Sequence, residues 1–203
     1  MIKCNVTVCG VIGRDASIRT NKEGKTFLVF PLRVMIPDTD GKTMPIEVDV
    51  SKDTAGKEVS KYRNGSRIEV SGTMYLKHRG DKLYFNLFIN EIRTATADAK
   101  DTVKGELVFR GKVGQHIEEK RDKKDQPYTM FSAFSTEKVE DGFDYQWVRF
   151  FCFGKEREAW LQPGVRVDAK GEISLSAYNG KLNVSCKVEE LVQYVADSSN
   201  SNQ

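Results

Sequence analysis

The stretch VCGVIGRD occupies residues 8–15, and a stretch with the same glycine spacing, FRGKVGQH, occupies residues 109–116. Gly10 of the first stretch recurs 101 residues later as Gly111, and in both stretches a second glycine follows three residues on. Self-similarity at a fixed distance is typical of a structural unit that occurs more than once in a chain. The sequence therefore predicts two units of the same kind, each about half the chain long.

The repeat continues further along each half. Residues 64–74 read NGSRIEVSGTM and residues 163–173 read PGVRVDAKGEI, so that Gly65 corresponds to Gly164 at a distance of 99 residues. The change from 101 to 99 places a two-residue length difference in an intervening loop.

Each half contains about five segments that alternate between apolar and polar residues or are rich in β-branched and aromatic residues, a pattern typical of strands. In the second half they lie at roughly 105–116, 127–136, 144–153, 165–176 and 181–193. Between the third and fourth segments a short helix is predicted in both halves, within AGKEVSKYRNG (55–65) and KEREAWLQPG (155–164), and Trp160 is predicted to be the apolar plug of the second unit. A short helix between strands three and four of a five-stranded unit is the arrangement of the OB fold. We therefore expect an all-β protein made of two tandem five-stranded OB-fold barrels, each with a short helix between strands 3 and 4.

The composition along the chain predicts the domain boundaries. Residues 1–94 form a divergent first OB-fold domain, and residues 105–195 form the second. Residues 95–104, ATADAKDTVK, are small and polar and are predicted to be a linker. The terminal stretch at 196–203 is too polar to pack and is predicted to be a disordered tail.

Composition and charge restrict the classes of function. The 203 residues are 39% hydrophobic and 30% charged, and no apolar run is long enough to cross a membrane. No secretory signal follows Met1, so that a cytoplasmic protein is expected. The net charge is +3, with 17 basic against 12 acidic residues in positions 1–100 and 15 against 17 in positions 101–203. Composition alone does not predict nucleic-acid binding, and any electrostatic argument depends on where the charges lie.

The four cysteines are predicted to be buried free thiols. Cys4 and Cys9 are separated by an odd number of residues in a predicted strand, so their side chains point to opposite faces. Cys152 and Cys186 stand alone in apolar strand patterns, and neither histidine of the chain lies near them in sequence. We therefore expect no metal site, and nothing in the sequence requires a cofactor.

The segment YQWVRFFCFGK (145–155) carries the strongest functional signal. In a strand, Trp147, Arg149, Phe151 and Phe153 project to one face. Val148, Phe150 and Cys152 project to the other face, which is expected to line the core. Exposed aromatic rings beside a guanidinium group offer stacking surfaces for bases and a cation for phosphates.

The second half resembles the bacterial single-stranded DNA-binding proteins. The resemblance rests on the glycine pair Gly111 and Gly114 and on the segments WVRFFCFGK, LQPG and VRVDAKG, and it covers about residues 105–194. It implies base stacking on Trp147, Phe153 and Tyr178 and a basic contact from Arg149. A further tryptophan of the family falls near Val139, and the terminal stretch lacks the acidic, hydrophobic-tipped tail of many members.

Members of this family commonly assemble four OB barrels, so that the resemblance implies a homodimer of two-barrel chains. On strand one of the second barrel, Lys112 and Arg110 either meet phosphates or remain solvated. The predicted residues of the single-stranded DNA site are therefore Trp147, Arg149, Phe151, Phe153, Tyr178, Lys112 and Arg110.

The first barrel differs at the corresponding strand. The alternation of IEVDV places Val48 and Val50 in the core and the carboxylates of Glu47 and Asp49 on the outer face, where they would repel phosphates. Three roles remain open for this barrel: weak binding, binding through another surface that uses Lys77, His78, Arg79 and Lys82 in the hairpin of strands four and five, or dimerisation.

The sequence contains no clustered catalytic constellation, no nucleophile elbow and no phosphate-cradling loop, so that neither an enzyme nor a small-molecule site is predicted. The predicted function is binding of single-stranded DNA without marked sequence preference, which protects the strand during replication, recombination, repair or DNA transfer. The alternative is an OB-fold module for protein–protein interaction that acts as a replication-restart or conjugation accessory factor.

Overall fold

The structure is a computed structural model that describes residues 2–54, 58–80, 82–139, 142–154 and 156–195. The fold is all-β, as the sequence predicts. Its strands are β1 (Ile2–Ile12), β2 (Ser17–Thr20), β3 (Thr26–Pro37), β4 (Thr43–Asp53), β5 (Arg67–Arg79), β6 (Lys82–Thr94), β7 (Thr102–Arg121), β8 (Pro127–Val139), β9 (Gly142–Phe153), β10 (Arg166–Tyr178) and β11 (Lys181–Gln193). Two 3₁₀ helices of three residues lie at Thr39–Gly41 and Val59–Lys61. The tail predicted at 196–203 lies outside the described residues.

The strands of the first half close into a five-stranded barrel. Strand β1 pairs with both β3 and β5, β3 pairs with β4, and β5 pairs with β6. The cycle is completed by a parallel pairing of β4 with β6, and β2 adds a short hairpin to β3. Closure satisfies the backbone groups that an open sheet would leave at its edges.

The strands of the second half follow the same cycle of pairings. Strand β7 pairs with both β8 and β10, β8 pairs with β9, and β10 pairs with β11. The one parallel contact again joins the third and fifth strands of the cycle, β9 and β11. The repeat seen in the sequence is therefore a repeat of strand order and strand direction.

The glycines that define the repeat occupy equivalent backbone positions. The Gly65 amide donates a hydrogen bond to the Ile12 carbonyl oxygen at 2.8 Å, and the Gly164 amide donates to Val113 at 2.9 Å. Their φ angles are +83° and +85°, in the left-handed region that favours glycine. The same turn thus leads into β5 and into β10.

The two halves are joined by antiparallel pairing of β1 with β7, from Lys3 opposite Val108 to Cys9 opposite Thr102. Strand β7 begins at Thr102, inside the segment predicted as a linker. The preceding residue, Asp101, forms an ion pair with Arg67 of β5. The connection between the halves is therefore held by a sheet and an ion pair.

The segment between the third and fourth strands of each cycle is less helical than the sequence predicts. Among the described residues of these two segments, those of the first half form the 3₁₀ helix at Val59–Lys61, and residues 156–165 of the second half form turns and irregular backbone. Pro163 has no amide hydrogen to donate, and a segment of this length is too short for a stable α-helix. The residue of this segment that is buried in the core is Leu161, which is 1% exposed. Trp160, the predicted plug, is only partly buried against the core.

Alternating residues of the strands form the core. In β4, Val48 and Val50 are buried, as predicted. The four cysteines are free thiols, of which Cys152 is only half-buried. In the described part of the chain, no helix is long and apolar enough to span a membrane.

Candidate nucleic-acid interface

Strand β9 presents its large aromatic residues to solvent. Val148 and Phe150 are buried in the core, whereas Trp147 and Phe153 are 50% and 46% exposed. Arg149 lies exposed between them. The alternation predicted for this strand is confirmed from Trp147 to Phe150, whereas Phe151 and Cys152 are both half-buried.

The exposed row on β9 is longer than the sequence analysis predicts. Phe143 and Tyr145 are 58% and 49% exposed and project from the same face as Trp147, because they lie four and two residues before it in the strand. Strand alternation could have identified them, because positions 143, 145 and 147 lie on the same face of a strand.

The neighbouring strand β8 adds rings to this row. Phe134 lies directly opposite Trp147 in the ladder with ring centroids 4.8 Å apart, and Tyr128 lies opposite Phe153 at 5.2 Å. Phe151 is half-buried and stacks on Phe153 at 6.2 Å. We call this set the aromatic surface; its members are Tyr128, Phe134, Phe143, Tyr145, Trp147, Phe151 and Phe153.

Trp147 is seated against the first strand of the cycle. A Cβ atom built at Gly114 would come within 3.0 Å of ring atom Cζ3 of Trp147. The absence of a side chain at Gly114 therefore lets the indole lie close to the backbone of β7. This close contact restricts the orientation of a ring that is half exposed.

Two predicted basic residues lie beside the rings of the aromatic surface. Arg149 lies opposite Ser132 of β8 and Ser185 of β11, so it stands in the middle of the surface. Lys112 of β7 lies opposite Phe134, in the same cross-strand row as Trp147. Both side chains are exposed, and the Cε atom of Lys112 lies near Gly164.

A third basic residue beside the rings was not predicted. Lys120 lies opposite Tyr128 and forms an ion pair with Glu118. The hydrogen bond from Lys120 lowers the pKa of Glu118, and the charges of Lys120 and Arg149 act in the same direction. The negative charge of Glu118 is therefore compensated by the positive charge of Lys120.

Arg110 has protein partners of its own. Its guanidinium group donates two hydrogen bonds to the Asp168 carboxylate, at 2.6 and 2.8 Å, and lies 4.2 Å from the centroid of the Tyr194 ring. The hydrogen bond to Asp168 raises the pKa of Arg110. The structure thus places this predicted residue on the β7–β10 side of the second half, away from β9.

Tyr178 ends β10 and is 62% exposed. It lies opposite Lys181 across the turn formed by Asn179 and Gly180, both of which have positive φ angles. The structure therefore places this ring on the β10–β11 hairpin.

The equivalent strand of the first half carries no ring on its outer face. The positions that match the row on β9 are Thr43, Pro45, Glu47, Asp49, Ser51 and Asp53. Glu47 lies 3.7 Å from Arg14, and both side chains are exposed. The exposed aromatic residues of this half lie elsewhere: Phe88 of β6, 51% exposed, packs edge to face against Tyr75 of β5.

Among the described residues, no group of three or more His, Cys, Asp or Glu side chains is placed to hold a metal ion.

No family model matches this sequence, and none of the curated proteins compared with it does. Among solved structures, the chain is similar to the wild-type single-stranded DNA binding protein from Thermus aquaticus, with 12% identity, coverage of 98% of this chain and 96% of that chain, and a TM-score of 0.47. It is also similar to the small single-stranded DNA-binding protein from Streptomyces coelicolor, with 11% identity, coverage of 45% and 94%, and a TM-score of 0.36. A third is the N-terminal domain of the PriB protein from Thermoanaerobacter tencongensis, with 18% identity, coverage of 45% and 97%, and a TM-score of 0.30. All three TM-scores lie below 0.5.

Proposed function

We propose that this protein binds single-stranded DNA without marked sequence preference, through the aromatic surface and the basic residues that border it. The observation that carries the proposal is the exposed row of rings on β9, interrupted only by Arg149. A soluble surface rarely leaves this many large rings uncovered without a binding partner.

The spacing of the rings fits a strand whose bases are separated. Outer-face side chains recur about every 6.7 Å along a strand. Nucleotides in duplex DNA are about 3.4 Å apart along each strand. A single strand can extend until successive bases meet successive rings, whereas the paired and stacked bases of a duplex are inaccessible to them.

The chemistry of the surface accounts for the absence of sequence preference. Stacking of a base on an aromatic side chain contributes about 1–3 kcal/mol and is possible for every base, since each has a π-face. Arg149 and Lys112 contribute attraction to phosphates, which is equally independent of sequence and weakens with salt.

The tandem organisation belongs to the same proposal. Each cycle of five strands is an OB-fold domain, with residues 1–94 and 105–195 as the two domains, and the aromatic surface belongs to the second. Two chains associate to bring four barrels together, and the complex protects single strands during replication, recombination, repair or DNA transfer. Light scattering tests the assembly, since a homodimer has twice the chain mass of 23.0 kDa.

Tryptophan fluorescence tests the DNA-binding proposal directly. The chain has two tryptophans, Trp147 on the aromatic surface and the partly buried Trp160, so that titration with oligo(dT) should quench the Trp147 part of the emission. In the variant Trp147→Phe the quenching should disappear, while the remaining ring preserves part of the affinity. Quenching should weaken as salt is added, and duplex DNA of the same length should quench little.

The absence of any quenching or binding at low salt would overturn the proposal. In that case the exposed rings favour the protein–protein interaction module as the function of this fold. A matched titration with oligo(rU) determines whether the site prefers DNA to RNA.

A further inference from the structure

A cleft of about 1090 Å³ lies between the two halves of the chain, and residues from both halves line it. The second half contributes Tyr145, Trp147 and Arg149 from β9. The first half contributes His78 and Lys82, which belong to the β5–β6 hairpin. The arrangement follows from the packing of β5 near β9, which brings this hairpin to the aromatic surface.

Trp147 and Arg149 belong both to the aromatic surface and to the wall of the cleft. A DNA strand that stacks on Trp147 is therefore already at the entrance of the cleft. The opposite wall is then the nearest protein surface to its backbone.

The charged residues that line the cleft are mostly basic. Lys82, Arg149 and Lys181 line it together with one carboxylate, that of Glu47. Glu47 has Arg14 as a neighbour at 3.7 Å. The cleft therefore offers a polyanion more attraction than the acidic sequence of β4 predicts by itself.

The cleft wall also contains an unused hydrogen-bond acceptor. Gln146 lines the cleft, and its Nε2 donates to the Trp147 carbonyl oxygen at 3.0 Å. Its Oε1 is buried and has no partner among the described residues.

We propose that single-stranded DNA passes from the aromatic surface into this cleft, where His78 and Lys82 of the first half contact its phosphates. The inference rests on the proposed function and extends it, because it makes the binding site a joint product of both halves. It also assigns the first half a role that its ring-free strand β4 does not provide.

The salt dependence of binding isolates the contribution of the first half. Each phosphate contact to a single strand changes the slope of log K against log salt by about 0.7, so that losing one contact weakens binding about fivefold at 0.1 M salt. In the full chain, Lys82→Ala should therefore reduce the slope by about 0.7 and weaken oligo(dT) binding about fivefold at 0.1 M salt. Adding His78→Ala to this variant should weaken binding further.

Lys61→Ala is the matched control, because Lys61 is an exposed lysine of the first half that lies on the 3₁₀ helix at Val59–Lys61 and not in the cleft. It removes the same charge and should leave the slope unchanged. If Lys82→Ala and Lys61→Ala give the same slope and affinity while Trp147→Ala still weakens binding, the cleft proposal fails and the proposed function stands. If Trp147→Ala also has no effect, the aromatic surface itself is refuted.

Photo-crosslinking provides a readout that needs no variant. Oligo(dT) that carries 5-iodouracil should cross-link to Trp147 or Tyr145 and also to the hairpin peptide that contains His78. Cross-links confined to the aromatic surface would overturn the proposed path through the cleft.

Discussion

The indole ring of Trp147 lies against Gly114, close enough that a Cβ atom at Gly114 would be 3.0 Å from ring atom Cζ3. Trp147 reaches this position from the third strand of its cycle, whereas Gly114 belongs to the first. The orientation of this half-exposed ring therefore depends on a residue that carries no functional group.

Gly114→Ala should displace this ring and weaken DNA binding. The new methyl group also meets the Ser132 carbonyl oxygen at 3.0 Å, so that either the ring or the backbone must move. Because a half-exposed ring can shift, we expect a loss of stability of about 1 kcal/mol, at the low end for overpacking. A changed Trp147 emission spectrum and a lower affinity for oligo(dT) measure the displacement.

Gly13→Ala is the control for this prediction. Gly13 is the counterpart of Gly114 in the repeat, but a Cβ atom there would lie 3.7 Å from the Pro31 carbonyl oxygen, an ordinary contact. This variant should keep both the stability and the affinity of the parent protein. Equal effects of the two substitutions would show that the contact between Trp147 and Gly114 has no special role.

The double variant Trp147→Ala, Phe153→Ala should lower the affinity for oligo(dT) at least about tenfold, since it removes two stacking contacts of about 1–3 kcal/mol each. Both side chains are about half exposed, so that the fold should remain intact, which circular dichroism can check. Phe88→Ala removes a comparably exposed ring from the first half and should have a smaller effect than Phe153→Ala alone. A larger effect of Phe88→Ala would contradict the assignment of the main stacking site to the second half.

Arg149→Ala and Arg110→Ala should differ in their effect on the salt dependence of binding. Arg149 stands among the rings of the aromatic surface, and its loss should reduce the slope of log K against log salt by about 0.7. Arg110 is held by Asp168 and the Tyr194 ring, so its removal should leave the slope nearly unchanged. Measuring oligo(dT) affinity between 50 and 300 mM salt, roughly the range in which such slopes are resolved, distinguishes the two. A smaller slope in Arg110→Ala than in Arg149→Ala would assign the phosphate contact to the β7–β10 side.

The features that the sequence predicts correctly are those that depend on local spacing. Alternation places Val48 and Val50 inside and Trp147 outside because side chains in a strand change face at every residue. The glycine repeat can likewise be identified from the sequence, since Gly65 and Gly164 mark turns that need a positive φ angle.

The features that the sequence does not reveal depend on how the chain is arranged in three dimensions. Arg110 and Asp168 are far apart in the chain and meet only because β7 pairs with β10. Leu161 and Trp160 are adjacent, and the turn geometry decides that the leucine enters the core. The cleft requires the packing of the two halves, for which neither half alone contains a signal.

Two buried thiols predict how stability changes at alkaline pH. Burial raises the pKa of Cys4 from its ordinary value of 9.0 to about 12, with a smaller contribution from Cys186, and burial likewise raises the pKa of Cys186 to about 12. Above pH 9 the unfolded chain therefore loses protons that the folded chain retains. Since the unfolded state then binds fewer protons, the free energy of unfolding falls as the pH rises from about 9 towards 12.

Each such thiol can contribute a slope of up to about 1.4 kcal/mol per pH unit in this window. Urea denaturation at a series of pH values measures the total slope, to which lysines and tyrosines also contribute. The variant Cys4→Ala, Cys186→Ala has a lower stability at neutral pH, because it loses buried sulfur atoms, but its stability should fall less steeply above pH 9. An identical slope in the parent and the variant would mean that neither thiol keeps its proton in the folded core.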